Sequence, residues 1–231
     1  KLKKAGCEVV IGVLKKEADF LNRRFFTFHK LKRPYIILKW AQTKNNFIAP
    51  IQKKTDNPEV YWITNNHSKQ RVHKWRSEHD AILVGRKTIE NDNPSLTVRL
   101  IDGKNPLRIV IDPFLKLNKD FTIFNDNYPI VILNEKTDNK KGKIRYVKYT
   151  NNNIISDLNN YLYKEGIQSL LIEGGATTIN SFLKSNNWDE ANVLIGDKEF
   201  KNGILSPKIT THLPLSINKC GEDKIINYRN D

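Results

Sequence analysis

The residues whose types and spacing best suit binding or catalysis lie where an apolar run is followed by a predicted helix. Glu173 ends the run, Gly174 and Gly175 follow it, and Thr177 and Thr178 lie in the first turn of the helix. Glycine lets a ligand approach the backbone closely, and the free N–H groups of a helix start favour an anion. This pattern alone fits phosphate binding and a simple tight turn between strand and helix equally well.

A second junction of the same kind spans residues 81–94. Gly85 follows an apolar run, Arg86 and Lys87 follow the glycine, and Thr88 lies one turn into the expected helix. Two such junctions, one with adjacent cations, favour a dinucleotide phosphate more than either does alone. The simpler interpretation is two helix caps with the cations in solvent. Neither junction contains the G-x-G-x-x-G pattern of an ordinary Rossmann site.

Charged side chains are also expected at the ends of these elements. Glu173 and Asp92 lie where α/β sheets usually bind ligands, and a carboxylate there can bind ribose hydroxyls or assist proton transfer. Lys39 ends another apolar run, where a lysine more commonly extends its amine to water. Arg76 and Arg99 are candidates for an anion clamp because guanidinium groups match phosphate oxygens, although in so basic a chain an arginine is more often a surface residue.

Hydrophobic periodicity predicts the elements that position these residues. The central strands are continuous apolar runs, which is typical of a sheet covered on both faces by helices. Arg33-Pro34 follows the first predicted strand and helix, over 8–14 and 15–31, and indicates a domain boundary. A polar loop is expected over 134–143 and a hairpin over 215–228. Strands are predicted over 8–14, 35–40, 80–84, 107–111, 129–133, 144–148, 168–172 and 191–195, and helices over 15–31, 65–78, 86–91, 154–164 and 176–186.

Composition narrows the function classes. The chain has 231 residues and a formal net charge of +14, but the lysines are spread along its length, which favours a solvated surface over a nucleic-acid site. The apolar runs are too short to cross a bilayer and no signal peptide is recognised, so a cytoplasmic location is expected. Cys7 and Cys220 lie far apart and outside any metal-binding pattern, so no zinc is expected.

Several stretches together resemble one family, the reductase domain of the bifunctional pyrimidine deaminase/reductases of riboflavin biosynthesis. The match runs from about Arg33 to the end of the chain, and DNPSLTVR combined with IEGGATTI is highly specific to it. The stretches are RPYIILKWAQT (33–43), YWIT (61–64), HKWRSEHDAILVGRKTIENDNPSLTVR (73–99), NPLRIVID (105–112) and LIEGGATTINSFL (171–183).

The resemblance implies an α/β fold of the dihydrofolate-reductase type, with a mostly parallel central sheet flanked by helices and a C-terminal antiparallel hairpin. It implies NADPH-dependent reduction of the ribosyl group of 5-amino-6-(5-phosphoribosylamino)uracil, and it extends to this chain the homodimer common in the family. Residues 34–231 form the reductase domain. Residues 1–33 resemble the end of the deaminase half, whose zinc signature is absent, so we expect no deamination.

The resemblance also assigns residue roles. Lys39 lies by the ribose near the hydride path, and Glu173 and Asp92 complete the catalytic group. NADP contacts fall on Ala41, Trp62, Thr88, Asp92, Pro113, Gly175, Ala176, Thr177, Thr178, Ile179, Asn180 and Ser181. Substrate contacts fall on Val60, Arg76, Leu96, Arg99 and Glu173.

Four residues at three sites depart from the family pattern, and two other functions stay open. Asn45-Asn46 replaces the usual Asp-Gly, Pro113 replaces a frequent Ser, and Val60 replaces a Ser at a substrate-phosphate position. A dihydrofolate or other pterin reductase of the same fold is the first alternative, and turnover of a pterin would indicate it. A basic nucleic-acid-binding module is the second, and salt-sensitive retention on nucleic acid would indicate it.

Overall fold

The computed structural model describes residues 1–51, 61–150 and 153–230. The helices of these ranges are α1 (Lys15–Leu21), α2 (Arg23–Leu31), α3 (Asn66–Ser77), α4 (Arg86–Asp92), α5 (Ile154–Lys164) and α6 (Ala176–Lys184). The strands are β1 (Tyr35–Gln42), β2 (Phe47–Pro50), β3 (Ala81–Gly85), β4 (Leu107–Ile111), β5 (Ile130–Asn134), β6 (Asn139–Lys141), β7 (Ile144–Lys148), β8 (Ser169–Ile172), β9 (Glu190–Ile195), β10 (Gly203–Leu205), β11 (Ser216–Cys220) and β12 (Asp223–Arg229).

Among the described residues, ten strands form one sheet in the order β11-β12-β9-β1-β8-β3-β4-β5-β7-β6. The seven strands from β9 to β7 are parallel, and antiparallel strands close both edges. This confirms the predicted mostly parallel α/β sheet and its C-terminal hairpin. Strands β2 and β10, which the periodicity did not predict, form a separate two-stranded sheet.

Alternation along the strands divides the core between the two faces of the sheet. In β1, Ile36, Leu38 and Trp40 pack in the cluster that also contains residues of α5 and α6. Tyr35 and Ile37 point to the opposite face, where Trp75 of α3 packs against them. Burial of both faces explains the continuous apolar runs, because each side-chain direction of a covered strand meets a hydrophobic layer.

The N-terminal segment differs from its prediction. Residues 8–14 form no strand, and Val10, Ile11 and Val13 are exposed. A strand needs a neighbour for its backbone hydrogen bonds, and the described chain supplies none there. The single helix predicted over 15–31 is two helices divided at Asn22. The polar loop predicted over 134–143 contains the short exposed strand β6.

Candidate active site

The register of two central strands brings Lys39 and Glu173 together. Leu38 of β1 lies opposite Ile172 of β8, so the next residue on each strand is Lys39 and Glu173. The amine Nζ of Lys39 lies 3.6 Å from Oε2 of Glu173, and the two side chains are 14% and 7% exposed. The pair therefore lies at the carboxyl end of the parallel sheet, where α/β folds bind ligands.

Arg76 completes this cluster from the last turn of α3. That helix begins at a cap formed by Asn65, whose side chain accepts the N–H of Ser68 at 2.9 Å. Nε and Nη2 of Arg76 donate to the two carboxylate oxygens of Glu173 at 2.8 Å each, and Nη1 donates to the carbonyl of Thr97 at 3.3 Å. Most of the guanidinium fork is therefore bound to Glu173.

The electrostatics of this cluster fix one carboxylate between two cations. Burial disfavours the charged form of Glu173, but the positive charges of Arg76 and Lys39 outweigh it and lower its pKa to about 2. Burial lowers the pKa of Lys39; Glu173 opposes that shift and Arg76 adds to it. Glu173 is therefore an ionised acceptor at neutral pH, and the Lys39 ammonium releases its proton more readily than a lysine in water.

Arg99 lies beside this cluster at the end of an anchored segment, Ser95–Arg99. Its Nη1 donates to Oγ1 of Thr97 at 3.1 Å, and its backbone N–H donates to Nδ1 of His73 at 3.0 Å. Its guanidinium makes no ion pair within the described ranges, and burial together with the charge of Arg76 lowers its pKa. An unneutralised guanidinium beside a second one is an electrostatic site for a dianion.

The two glycine junctions pack directly against each other. A Cβ added at Gly85 would lie 2.8 Å from Oγ1 of Thr178, and one added at Gly174 would lie 2.8 Å from Cβ of Thr178. In the opposite direction, Oγ1 of Thr88 accepts the N–H of Gly175 at 3.1 Å. The absence of side chains at Gly85 and Gly174 thus allows close contact between the two turns, as the tight-turn interpretation predicts.

Donors for an anion remain at the start of α6. Within the described ranges, the backbone N–H groups of Ala176 and Thr177 have no protein acceptor. Of the two cations predicted beside the other turn, Arg86 contacts Glu90 and lies 3.8 Å from Asp112, whereas Lys87 is exposed. The turn of α6 therefore fits a phosphate, and Lys87 is the more available of the two cations.

The other predicted cofactor residues lie along the same edge of the sheet. Ala41 belongs to β1, and Pro113 follows β4 and accepts the N–H of Glu135 through its carbonyl at 2.9 Å. Trp62 is 54% exposed, and the amine of Lys69 lies 3.9 Å from the centre of its ring. An exposed indole offers a surface on which a ring of the cofactor can stack. Ile179 of α6 is fully buried in the core, and Asn180 and Ser181 follow it on the same helix.

Three further predicted positions have different relations to the cluster. Asp92 ends α4 and is exposed as a residue, but partial desolvation of its carboxyl raises the pKa of that group, and the charge of Lys39 partly opposes the rise. Leu96 is 2% exposed with φ 55°, so its side chain belongs to the core and only its backbone can meet a ligand. Val60 lies outside the described residues. At the Asn45-Asn46 departure, Asn46 has φ 65°, a left-handed conformation that asparagine tolerates in place of glycine.

Sequence reasoning missed His73 and Arg108. His73 is buried, and burial, then the charges of Arg76 and Arg99, lower its pKa to about 4, so its Nδ1 is an acceptor. Arg108 is 0% exposed although it lies in the apolar run LRIVI. A charge inside such a run is a recognisable signal, because buried charges are paired.

No helix of the described chain is long and apolar enough to span a membrane, and those residues contain no group of three metal-ligating side chains.

Comparison with known proteins identifies the family of the chain. The family model of the RibD C-terminal domain matches residues 34–198, so the chain belongs to that family. A riboflavin biosynthesis protein RibD of Aquifex aeolicus is 35% identical over 210 residues, covering 88% of this chain and 58% of the relative. The chain thus spans less than two thirds of that relative's length.

Two further relatives extend the comparison. A 2,5-diamino-6-ribosylamino-4(3H)-pyrimidinone 5′-phosphate reductase of Methanothermobacter thermautotrophicus is 33% identical over 174 residues, covering 71% of this chain and 77% of that protein. The crystal structure of a Thermotoga maritima diaminohydroxyphosphoribosylaminopyrimidine deaminase/5-amino-6-(5-phosphoribosylamino)uracil reductase superposes with a TM-score of 0.84 and 26% identity, covering 98% of this chain and 65% of that one. The fold is therefore of the dihydrofolate-reductase type.

Proposed function

We propose that this chain is an oxidoreductase of riboflavin biosynthesis that reduces the ribosyl group of a phosphorylated ribosylaminopyrimidine at the expense of NADPH. The observation that carries the proposal is the buried cluster of Lys39, Arg76 and Glu173 between the two glycine turns and Arg99. A charged cluster next to a turn with free backbone N–H groups suits a sugar phosphate beside a dinucleotide. Membership of the family supports the same reaction.

The turn at the start of α6 is the part of the site suited to the cofactor. The N–H groups of Ala176 and Thr177 would bind its diphosphate, and the exposed Lys87 would favour a 2′-phosphate and hence NADPH over NADH. When bound, NADPH supplies a hydride to C1 of the sugar. Trp62 offers an exposed ring face for stacking at this end of the site.

The charged cluster is the part suited to the sugar and its phosphate. Arg99, together with the one nitrogen of Arg76 that does not contact Glu173, would bind the phosphate dianion. Glu173 would accept a sugar hydroxyl, and Lys39, with its lowered pKa, would donate the proton that the ring oxygen takes up as the sugar opens. The open-chain iminium carbon then takes up the hydride, so the sugar gains one proton and one hydride in total and the ribityl amine is the product.

We also propose that the segment preceding Arg33-Pro34 corresponds to the end of a deaminase-like domain, whose last helix, α2, packs against the reductase domain through Phe28 and Tyr163. Its exposed side chains, Val10, Ile11, Val13 and Leu21, have the composition of a buried surface, which suits the end of a deaminase-like domain. Limited proteolysis tests this boundary. Removal of residues before Arg33 should lower the stability of the reductase domain, because the contacts of α2 are lost, but leave it folded with unchanged affinity for NADPH.

The decisive experiment measures oxidation of NADPH and NADH with four pyrimidines. These are the deaminated and the 2,5-diamino phosphoribosylaminopyrimidines, each with and without the 5-phosphate. We expect turnover of a phosphorylated compound, a gain of two hydrogen atoms in the product by mass spectrometry, and a preference for NADPH. Dihydrofolate is the control for a pterin reductase. Turnover of dihydrofolate without turnover of any of the four pyrimidines would overturn the proposal.

A further inference from the structure

Arg108, the second residue of β4, is a fully buried cation. Its Nη1 donates to Oδ2 of Asp126 at 2.7 Å and to the carbonyl of Ser95 at 3.2 Å. Its Nη2 donates to Oδ1 of Asp126 at 2.7 Å and to the carbonyl of Tyr128 at 2.6 Å. The four N–H groups of the two terminal nitrogens are therefore all used, while Nε has no partner in the described chain.

These bonds join three separate parts of the chain. Arg108 lies in β4, Ser95 begins the anchored segment Ser95–Arg99, and Asp126 and Tyr128 lie in the loop before β5. A cavity of about 390 Å³ lies between the segment and this loop, and Arg99 is part of its lining. Arg108 thus connects the sheet to both walls of this cavity, which is lined by Arg99, the candidate residue for binding the substrate's phosphate.

From Ser95 the contacts continue to the candidate substrate site. Oγ of Ser95 lies 3.0 Å from Oγ1 of Thr97, which in turn accepts Nη1 of Arg99 at 3.1 Å. The carbonyl of Thr97 accepts Nη1 of Arg76. A shift of Ser95 therefore displaces Thr97, which accepts hydrogen bonds from both Arg76 and Arg99.

Stability alone gives a weak reason for this arrangement. A buried ion pair recovers little more than its desolvation cost, and apolar residues of similar volume serve a core at least as well. A guanidinium fork does provide fixed directions, because it binds a carboxylate and two carbonyls in one plane. The cost of burying Arg108 is therefore better explained by the position that it imposes on Ser95 and the loop.

We propose that Arg108 is a positioning residue for phosphate recognition: it fixes the segment Ser95–Arg99 so that Arg99 meets the substrate's phosphate. The inference rests on the proposed function, since it concerns the specificity of that same site. Arg108 itself contacts neither substrate nor cofactor, so its effect is specific to the phosphorylated substrate.

The test compares Arg108→Lys with the wild type on phosphorylated and dephosphorylated substrate. Lysine keeps the charge but loses the fork, so we expect KM for the phosphorylated substrate to rise about tenfold, the loss of one charge-assisted hydrogen bond. KM for the dephosphorylated substrate and Kd for NADPH should not change. A merely structural role would instead reduce the folded fraction, lowering kcat for both substrates with KM and the preference for phosphate intact.

A second variant and a control protect the test against misfolding. Asp126→Asn alters the same fork at its more exposed partner, which is 27% exposed, and should reproduce the loss of phosphate preference. Thr122→Ala, which lines the same cavity without a hydrogen bond to Ser95–Arg99, should behave as wild type. Failure of both Arg108→Lys and Asp126→Asn to fold would assign the pair to folding alone and overturn the inference.

Coupling to Arg99 gives the last criterion. If Arg108 acts through Arg99, then Arg108→Lys should add little to the loss already caused by Arg99→Ala, because residues in one network are not additive. Independent, additive effects would overturn the inference. Absence of turnover in the wild type would reject the proposed function itself, and an active wild type with an unaffected Arg108→Lys variant would reject only the role of Arg108.

Discussion

The two halves of the candidate site are held by different forces. In the glycine half, Gly85 and Gly174 approach Thr178 so closely that a methyl group would not fit. In the charged half, Lys39, Glu173 and Arg76 are held by ion pairs. Packing is sensitive to volume and insensitive to charge, whereas ion pairs respond to charge and to pH. One site therefore contains two parts that separate classes of substitution can disturb independently.

The largest effect is expected where a charge is removed from the centre of the cluster. Glu173→Gln keeps the shape but leaves Arg76 and Lys39 without their anion, and breaking a buried ion pair costs about 3–5 kcal/mol. We expect a lower free energy of unfolding in urea and a fall in kcat of about a hundredfold or more. Kd for NADPH should change little. An effect confined to that Kd would contradict the assignment of Glu173 to the sugar.

The next effect separates Arg99 from the rest of the charged half. Arg99→Ala should raise KM for the phosphorylated substrate by about one to two orders of magnitude, because a charge-assisted hydrogen bond contributes about 1.5–3 kcal/mol. Arg99→Lys should recover only part of the loss. The measurement is the ratio of kcat/KM for substrate with and without its phosphate. An unchanged ratio in Arg99→Ala would remove Arg99 from phosphate binding.

A volume change tests the glycine half. Gly85 has an ordinary φ of −84°, so the cost of Gly85→Ala comes from its contact with Oγ1 of Thr178, and overpacking costs about 1–3 kcal/mol. Thr178→Ala should relieve that cost in the double variant. Gly175→Ala is the matched control for stability, because its Cβ would lie 3.7 Å from the nearest atom. Thermal unfolding that is equal for Gly85→Ala and Gly175→Ala would contradict the packing explanation.

The smallest effect is a pH dependence of stability through His73. Its pKa falls from 6.5 to about 4 on folding, so the folded state binds fewer protons than the unfolded state. The stabilisation is complete above pH 6.5 and is lost as pH falls through 4. His73→Gln, which keeps an acceptor for the N–H of Arg99, should reduce this dependence. His79→Gln is the matched comparison, because the pKa of His79 is also lowered to about 4. An unchanged slope in His73→Gln would show that His73 does not titrate in this range.

Much of the fold follows from sequence patterns. The strands over 107–111 and 144–148 and the helix over 154–164 have the predicted bounds, because buried strands and amphipathic helices leave strong periodic signals. The strand predicted over 8–14 is wrong, because apolar composition alone does not provide a neighbouring strand. The short strands β2, β6 and β10 are too brief for periodicity to reveal.

The candidate site was predictable as a list of residues but not as an arrangement. The sequence identified Lys39 and Glu173 through their places at strand ends, and Arg76 and Arg99 as candidates for an anion clamp. The family resemblance indicated all four. It gave no means of assigning the fork of Arg76 to Glu173, since that bond spans 97 positions along the chain. It likewise left Thr178 as a cofactor residue without showing that Gly85 and Gly174 are small to accommodate it.

The sequence by itself determined the class of fold, the family and the edge of the sheet where chemistry is expected. These properties depend on local periodicity and on motifs, which neighbouring residues encode. Only the tertiary structure decided which charges are paired, which glycines are required by packing, and that Arg108 holds Ser95 in place. Such contacts depend on the register between distant strands, and a shift of one residue would separate Lys39 from Glu173.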